Sequence, residues 1–167
     1  MEEYIVDFEG YPLGGGYNFK IKELCAIDIA TGRRRQFMIR LRLAEFQALS
    51  ASERQAYSWV KENLNLLSWS DESEKHEEVS EEWIKEYLKA LAIRGTVYTK
   101  GAQKTSFLRR FSESPIQNLE IAVSGSLHST VRLEEPGCGL RSHSHNLHCA
   151  VRKAISFLKK FMETREV

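Results

Sequence analysis

The chain has 167 residues, 42% of them hydrophobic, with 24 Lys plus Arg against 23 Asp plus Glu. That is long enough for one domain, residues 1–167, with a proper core and no disulfide staples, and the charge balance argues neither for nor against nucleic acid. No apolar run approaches the ~18 residues of a membrane span, so no membrane partner is expected. Three cysteines, an odd count without a secretory n-region and h-region, point to a reducing intracellular setting, cytoplasmic or nuclear.

In chain order, residues 3–9 (Glu-Tyr-Ile-Val-Asp-Phe-Glu) are rich in β-formers and closed by Gly10 and Pro12, which predicts a first strand. A turn through Gly14, Gly15 and Gly16 leads into a second strand over 17–30, with Phe19, Ile21, Cys25 and Ile27 on one face at period two. Thr31-Gly32 is a hairpin signal, and 33–41 is the returning third strand. Ser52 opens a helical stretch through Trp59 and Leu64, followed by a polar loop. Ser80 caps a stronger helix with Glu81 and Glu82 in its first turn. Its apolar face is Trp83, Tyr87, Leu88 and Leu91, and Gly95 stands at its end. A fourth strand at Thr96–Thr99, a helix over 102–111 and a fifth strand over 116–122 come next. An irregular stretch over 124–142 leads to a last amphipathic helix over 146–164. This order predicts an α/β fold, with a five-stranded mixed sheet flanked by helices.

The last third concentrates candidate metal ligands. Cys138, His143, His145 and Cys149 lie close together, with Glu120 upstream. Zinc favours a tetrahedron of cysteine sulfur, histidine nitrogen and sometimes a carboxylate oxygen, and this segment offers all three. Free cysteines are usually small buried hydrophobes, but Cys138 sits in a Gly-Pro-rich loop outside any apolar periodicity. His145 faces the same way as Cys149 if the last helix has already begun, whereas His143 is the better ligand if the chain is still extended; spacing leaves both open. A Cys–His nucleophile would also need an activating base and an oxyanion pocket, which proximity in sequence does not supply.

The first strand ends in Val6-Asp7-Phe8-Glu9-Gly10. Residues two apart on a strand point to one side, so Asp7 and Glu9 could together grip a divalent cation, and two such ions clamp a phosphodiester. With the three-stranded meander that follows, this resembles the DnaQ-type, or DEDDh, exonucleases of the ribonuclease H-like superfamily. The remaining catalytic positions of that family differ here. Lys104, after Val97-Tyr98-Thr99-Lys100-Gly101, stands where an aspartate is expected, and Cys149 of His145-Asn146-Leu147-His148-Cys149-Ala150 stands on the last aspartate position. A lysine beside Asp7 and Glu9 would replace a metal charge by a fixed ammonium.

These departures are similar to the nuclease-like domain of Maelstrom proteins. That resemblance implies a Glu-Cys-His-Cys zinc site made of Glu120, Cys138, one of His143 and His145, and Cys149. The zinc would be structural, because four protein ligands leave no open position for water. It also implies single-stranded RNA as partner, a role with silencing-pathway proteins in small-RNA (piRNA-type) transposon silencing, and at most weak endoribonuclease activity. Lys100, Lys104, Arg109 and Arg110 would form a basic side for phosphates, with Arg152, Lys153, Lys159 and Lys160 decorating the last helix. Tyr11, Tyr17 and Tyr98 could stack on unpaired bases. Two alternatives stand beside this reading: an active exonuclease holding magnesium or manganese on Asp7 and Glu9, and a catalytically inactive protein-interaction module.

Overall fold

The structure is a computed structural model that describes residues 2–14, 18–112, 114–123 and 130–165. Its centre is a mixed sheet in the order β4-β3-β2-β1-β5-β6. β1 (Glu2–Pro12), β2 (Phe19–Asp28) and β3 (Arg34–Arg40) form the expected antiparallel meander, while β5 (Gly95–Thr99) runs parallel to β1 and β6 (Ile116–Asn118) parallel to β5. The sheet has six strands rather than the five expected. The sixth, β4 (Glu77–Ser80), lies in the stretch read as a polar loop and pairs parallel to β3 from Phe37↔Glu77 to Arg40↔Ser80. Its acidic sequence hides it from a periodicity test; edge pairing, including Arg35 bidentate on Glu77 at 2.6 and 2.9 Å, keeps it there.

Helices cover both faces. On one, Val6, Phe8, Leu24, Phe37 and Val97 pack against α3 (Glu81–Arg94) and α4 (Ala102–Arg109) through Ile84, Leu88, Leu91 and Leu108. On the other, Ile5, Cys25, Ile27 and Met38 meet α6 (Ala150–Arg165) through Val151, Ala154, Phe157 and Phe161, with α2 (Ala51–Val60) and α5 (Leu119–Val123) alongside. A short α1 (Leu43–Gln47) precedes α2, which begins at a capping box: Ser50 Oγ accepts from the Glu53 amide and Glu53 returns to the Ser50 amide. A π-helical turn (Lys61–Asn65) extends it. Among the described residues no helix is long and apolar enough to cross a membrane.

Four local expectations change. Ile21 and Phe19 do not share a face with Cys25 and Ile27, because the β1–β2 register slips between Glu9↔Glu23 and Gly10↔Ile21. The bulge makes Lys22 the extra residue and flips the start of β2. The fifth-strand stretch stops at Asn118, whose Oδ1 accepts from the amides of Glu120 and Gly101, so 119–123 turns into helix. Gly95 is extended at φ −172°, and the reason for glycine is close approach: a Cβ there would fall 1.9 Å from the Glu2 carbonyl oxygen. The last helix starts at Ala150 rather than 146, after a 3-10 turn at Arg141–His145.

Candidate functional site

Between β2 and the start of α6 lies a buried group of four: Glu23, Cys138, His143 and Cys149, whose potential ligand atoms all fall within 4.8 Å of one another. Two glycines hold Cys138 in place. Gly139 has φ +92°, and a Cβ on Gly137 would fall 2.1 Å from the Ser144 carbonyl oxygen. The Cys138 amide points at Cys149 Sγ (3.3 Å) and the Leu140 amide at Cys138 Sγ (3.5 Å), so backbone dipoles favour negative sulfur at both. Glu23 Oε1 accepts from the Ala150 amide at 2.8 Å, at the N-terminal end of α6.

His143 places Nε2 at 2.7 Å from Glu23 Oε1 and Nδ1 at 2.5 Å from the Asn65 carbonyl oxygen. A carbonyl only accepts, so Nδ1 carries hydrogen and Nε2 is the atom offered to the group. A metal-ligating histidine is commonly oriented in this way.

Without metal, the group stores its charge internally. The Cys138 contact, with help from His143 and against burial, draws the Cys149 thiol down to about 5. The same contact, then burial, pushes the Cys138 thiol far up. Burial works against a cation at His143, yet the Glu23 charge and contacts to Cys149 and Glu23 raise it to about 10. Burial also opposes a carboxylate at Glu23, but His143 and His76 hold it well below the carboxylate range. The donors fit a metal. A zinc tetrahedron with bonds of about 2.0–2.3 Å has edges of roughly 3.3–3.8 Å; the His143–Glu23 pair at 2.7 Å would open towards that edge, and all four donors already lie within 4.8 Å of one another. The four could therefore hold a metal ion such as zinc.

One step along the same sheet face is a second polar cluster. Asp7 is wholly buried; its Oδ1 accepts from Lys104 Nζ at 3.1 Å, and its Oδ2 pairs with Lys153 Nζ at 3.0 Å, off the direction of a hydrogen bond. Lys153 also pairs with Glu9, and Lys104 donates to the Phe8 carbonyl at 2.7 Å. Burial pulls Lys104 down against the attraction of Asp7. At Lys153 the attraction of Asp7 and Glu9 outweighs burial and raises it. Beside this cluster opens a cavity of about 520 Å³, walled in part by Glu9, Lys100, Lys104, His148 and Lys153 and by Gly101 and Ala102 at the start of α4. No side chain caps that helix end.

The structure brings together Cys138, His143 and Cys149 but not the other two sequence candidates. Glu120 lies on α5 with a half-exposed carboxylate, 3.8 Å from Lys100 Nζ, and Glu23 takes the carboxylate place. His145 is exposed on the 3-10 turn, because the helix that would align it with Cys149 has not begun. Lys100 and Lys104 share the cavity, whereas Arg109 turns to the Ile116 carbonyl and Arg110 lines another groove at the far end of α4. Lys153, read as surface decoration, is buried; so is Arg152, bonded to the carbonyls of Glu135 and Asn146. The stacking role expected of Tyr11 is excluded by complete burial, with its hydroxyl on the Leu67 carbonyl. Tyr98 is spent on Glu3 and Phe161, and Tyr17 lies outside the described residues.

Lys153 falls in the apolar stripe of the last helix, three after Ala150 and four before Phe157. Glu23 carries no comparable signal, because its strand also holds Lys20, Lys22 and Asp28 and charged residues there are not unusual. Compared with protein-family models and with curated proteins, the chain matches none.

Proposed function

We propose that this chain is a zinc-stabilised, degenerate exonuclease-fold domain of ribonuclease H-like type that binds single-stranded RNA. The observation that carries the reading is the occupation of the Asp7–Glu9 corner by the ammonium groups of Lys104 and Lys153. Two fixed cations stand where a pair of divalent ions would have to bind, and expelling them would leave buried charges unpaired. The strand order β3-β2-β1-β5-β6, with β4 added at the edge, supports the ribonuclease H-like type. The Glu-Cys-His-Cys group supports zinc, held by Glu23, Cys138, His143 and Cys149 in a closed, structural site.

For RNA, the support is the cavity beside Lys100 and the uncapped start of α4, which offers backbone N–H groups and the positive end of a helix dipole to phosphate. A place in small-RNA silencing, with at most weak endoribonuclease activity, extends the Maelstrom resemblance. The test pairs element-resolved metal analysis with titration of unstructured RNA oligomers of unrelated sequence, with and without chelator. About one zinc per chain, RNA binding that weakens with salt and no magnesium- or manganese-dependent exonuclease activity is the expected result. Divalent-dependent degradation abolished by Asp7→Asn with Glu9→Gln would favour the exonuclease. Absence of RNA binding would favour a protein-interaction module, for which the half-exposed Trp83, stacked on Tyr87 with Arg35 above, is the candidate surface.

A further inference from the structure

We infer that His76 is a positioning residue of the metal centre, holding Glu23 so that it presents one oxygen rather than two. The inference rests on the metal reading above and extends it to a residue outside the four-donor group. The His76 side chain is fully buried, with Nε2 at 2.8 Å from Glu23 Oε2 and Nδ1 at 2.5 Å from Ser73 Oγ. Glu23 is therefore divided: Oε1 faces His143 and the Ala150 amide, and Oε2 faces His76. A carboxylate with one oxygen tied down in this way binds monodentately. A single oxygen, one nitrogen and two sulfurs make the four-coordinate set zinc prefers, whereas an untethered carboxylate can bind through both oxygens and admit a fifth contact.

The fold carries His76 to this position. It lies immediately before β4, the edge strand whose register begins at Phe37↔Glu77. Gln36 on β3 joins the two regions, its amide donating to the carbonyls of Lys75 (2.8 Å) and Cys138 (2.9 Å). Lys75 in turn packs its stem against Gly139, where a Cβ would come within 3.0 Å of Cγ. The segment before β4 and the loop bearing Cys138 are thus fastened to each other, and the His76 side chain passes from the first to Glu23. The Ser73 hydroxyl can donate to Nδ1, which leaves hydrogen on Nε2, the atom that must donate to Glu23.

The experiment compares metal-free wild type, His76→Ala, His76→Gln and Ser73→Ala. Zinc affinity is measured by competition with a chromophoric chelator, and coordination is read from the ligand-field spectrum with cobalt(II) in place of zinc. His76→Ala is expected to lose 10–100-fold in zinc affinity, the usual cost of removing such an outer partner. Its cobalt bands should weaken as the ion gains a fifth contact. His76→Gln, whose amide can still donate to Oε2, should recover most of the affinity and the wild-type spectrum. Ser73→Ala sits in a loop, leaves every buried side chain in place and should lose severalfold. If His76→Ala fails to fold, Ser73→Ala decides, and wild-type affinity and spectrum in that variant overturn the inference. Unchanged affinity and spectrum in His76→Ala overturn it too, as does loss in His76→Ala that glutamine does not restore. Tight zinc binding by wild type in those cases leaves the metal reading standing; a wild type that takes up neither ion ends both.

Discussion

Glu9 and Glu23 stand opposite each other in the β1–β2 register, both under α6, yet the chain answers the two carboxylates in opposite ways. Around Glu9 and Asp7 it places two lysines for two acids, so the charges balance and the corner is closed. Around Glu23 it places two cysteines and two histidines, and among the described residues no lysine or arginine is ion-paired with it. One helix serves both: Cys149 precedes α6, and Lys153 follows it by four residues, about one turn. A fixed ammonium disfavours metal at one carboxylate. Soft donors with exchangeable protons could hold one at the next. Two residues one turn apart on the same helix thus set which of two neighbouring acids could hold a metal ion.

The largest effect should come from breaking the metal side. Cys149→Ser replaces a sulfur with a weaker zinc ligand and exchanges the large sulfur that accepts from the Cys138 amide for a smaller oxygen on a shorter bond. Structural zinc contributes to folding because the unfolded chain has no preformed site, so the loss with zinc saturating should exceed about 5 kcal/mol. Under the zinc reading, zinc content should fall from one per chain to near none. Retention of both zinc and the wild-type melting temperature would show that the four residues are only a hydrogen-bonded cluster.

Breaking the lysine side should cost less. Lys153→Met leaves Asp7 and Glu9 sharing Lys104, and removing one partner of a buried pair costs about 3 kcal/mol. Zinc content should not change. The pH dependence follows from the direction of the shift: Lys153 is raised above its ordinary 10.5, so its contribution is complete below that value and is lost only as pH climbs through the higher folded value. Urea unfolding of wild type and variant should therefore give a constant difference between pH 6 and pH 9. A difference that vanished at neutral pH would mean that Lys153 is solvated and the corner open.

Most of the architecture was legible in the sequence, because the meander, the Ser80 cap and the amphipathic last helix are local signals. What escaped depends on contacts across the sheet. β4 is visible only from its pairing with β3, since Glu77-Glu78-Val79-Ser80 has no strand periodicity of its own. Cys138, His143 and Cys149 could be read from ligand chemistry and closeness in sequence. Glu23 could not, because it lies more than a hundred residues before them and reaches them only through β2 and the β-bulge that sets its face. Lys104 near the Asp7–Glu9 pair was readable as an expectation and is found there. For Lys153 the one signal, its place in the apolar stripe of the last helix, was outweighed because a basic residue on a helix is usually solvent-facing.

The smallest effect separates two lysines that the sequence treats alike. Lys104 spends its donors on Asp7 and the Phe8 carbonyl, and its charge is already compensated. Lys100 pairs with Glu120 at the longer distance of 3.8 Å and lines the cavity at the start of α4. Under the RNA reading, Lys100 is the residue free to displace a counterion from phosphate. Each such contact on a single strand changes the salt slope by about 0.7, equivalent to roughly a fivefold affinity difference at 0.1 M salt. Lys100→Ala should therefore flatten the slope by that amount across unrelated RNA sequences and leave the melting temperature nearly unchanged. Lys104→Ala should do the reverse, lowering stability with little change in slope. Fluorescence anisotropy at three salt concentrations, beside thermal unfolding of each variant, checks both halves. Equal slopes for wild type and Lys100→Ala would remove the cavity from the RNA path. A slope change in Lys104→Ala as large as in Lys100→Ala would mean that the Asp7 pair opens when RNA binds, so that the closed corner is part of the binding surface after all.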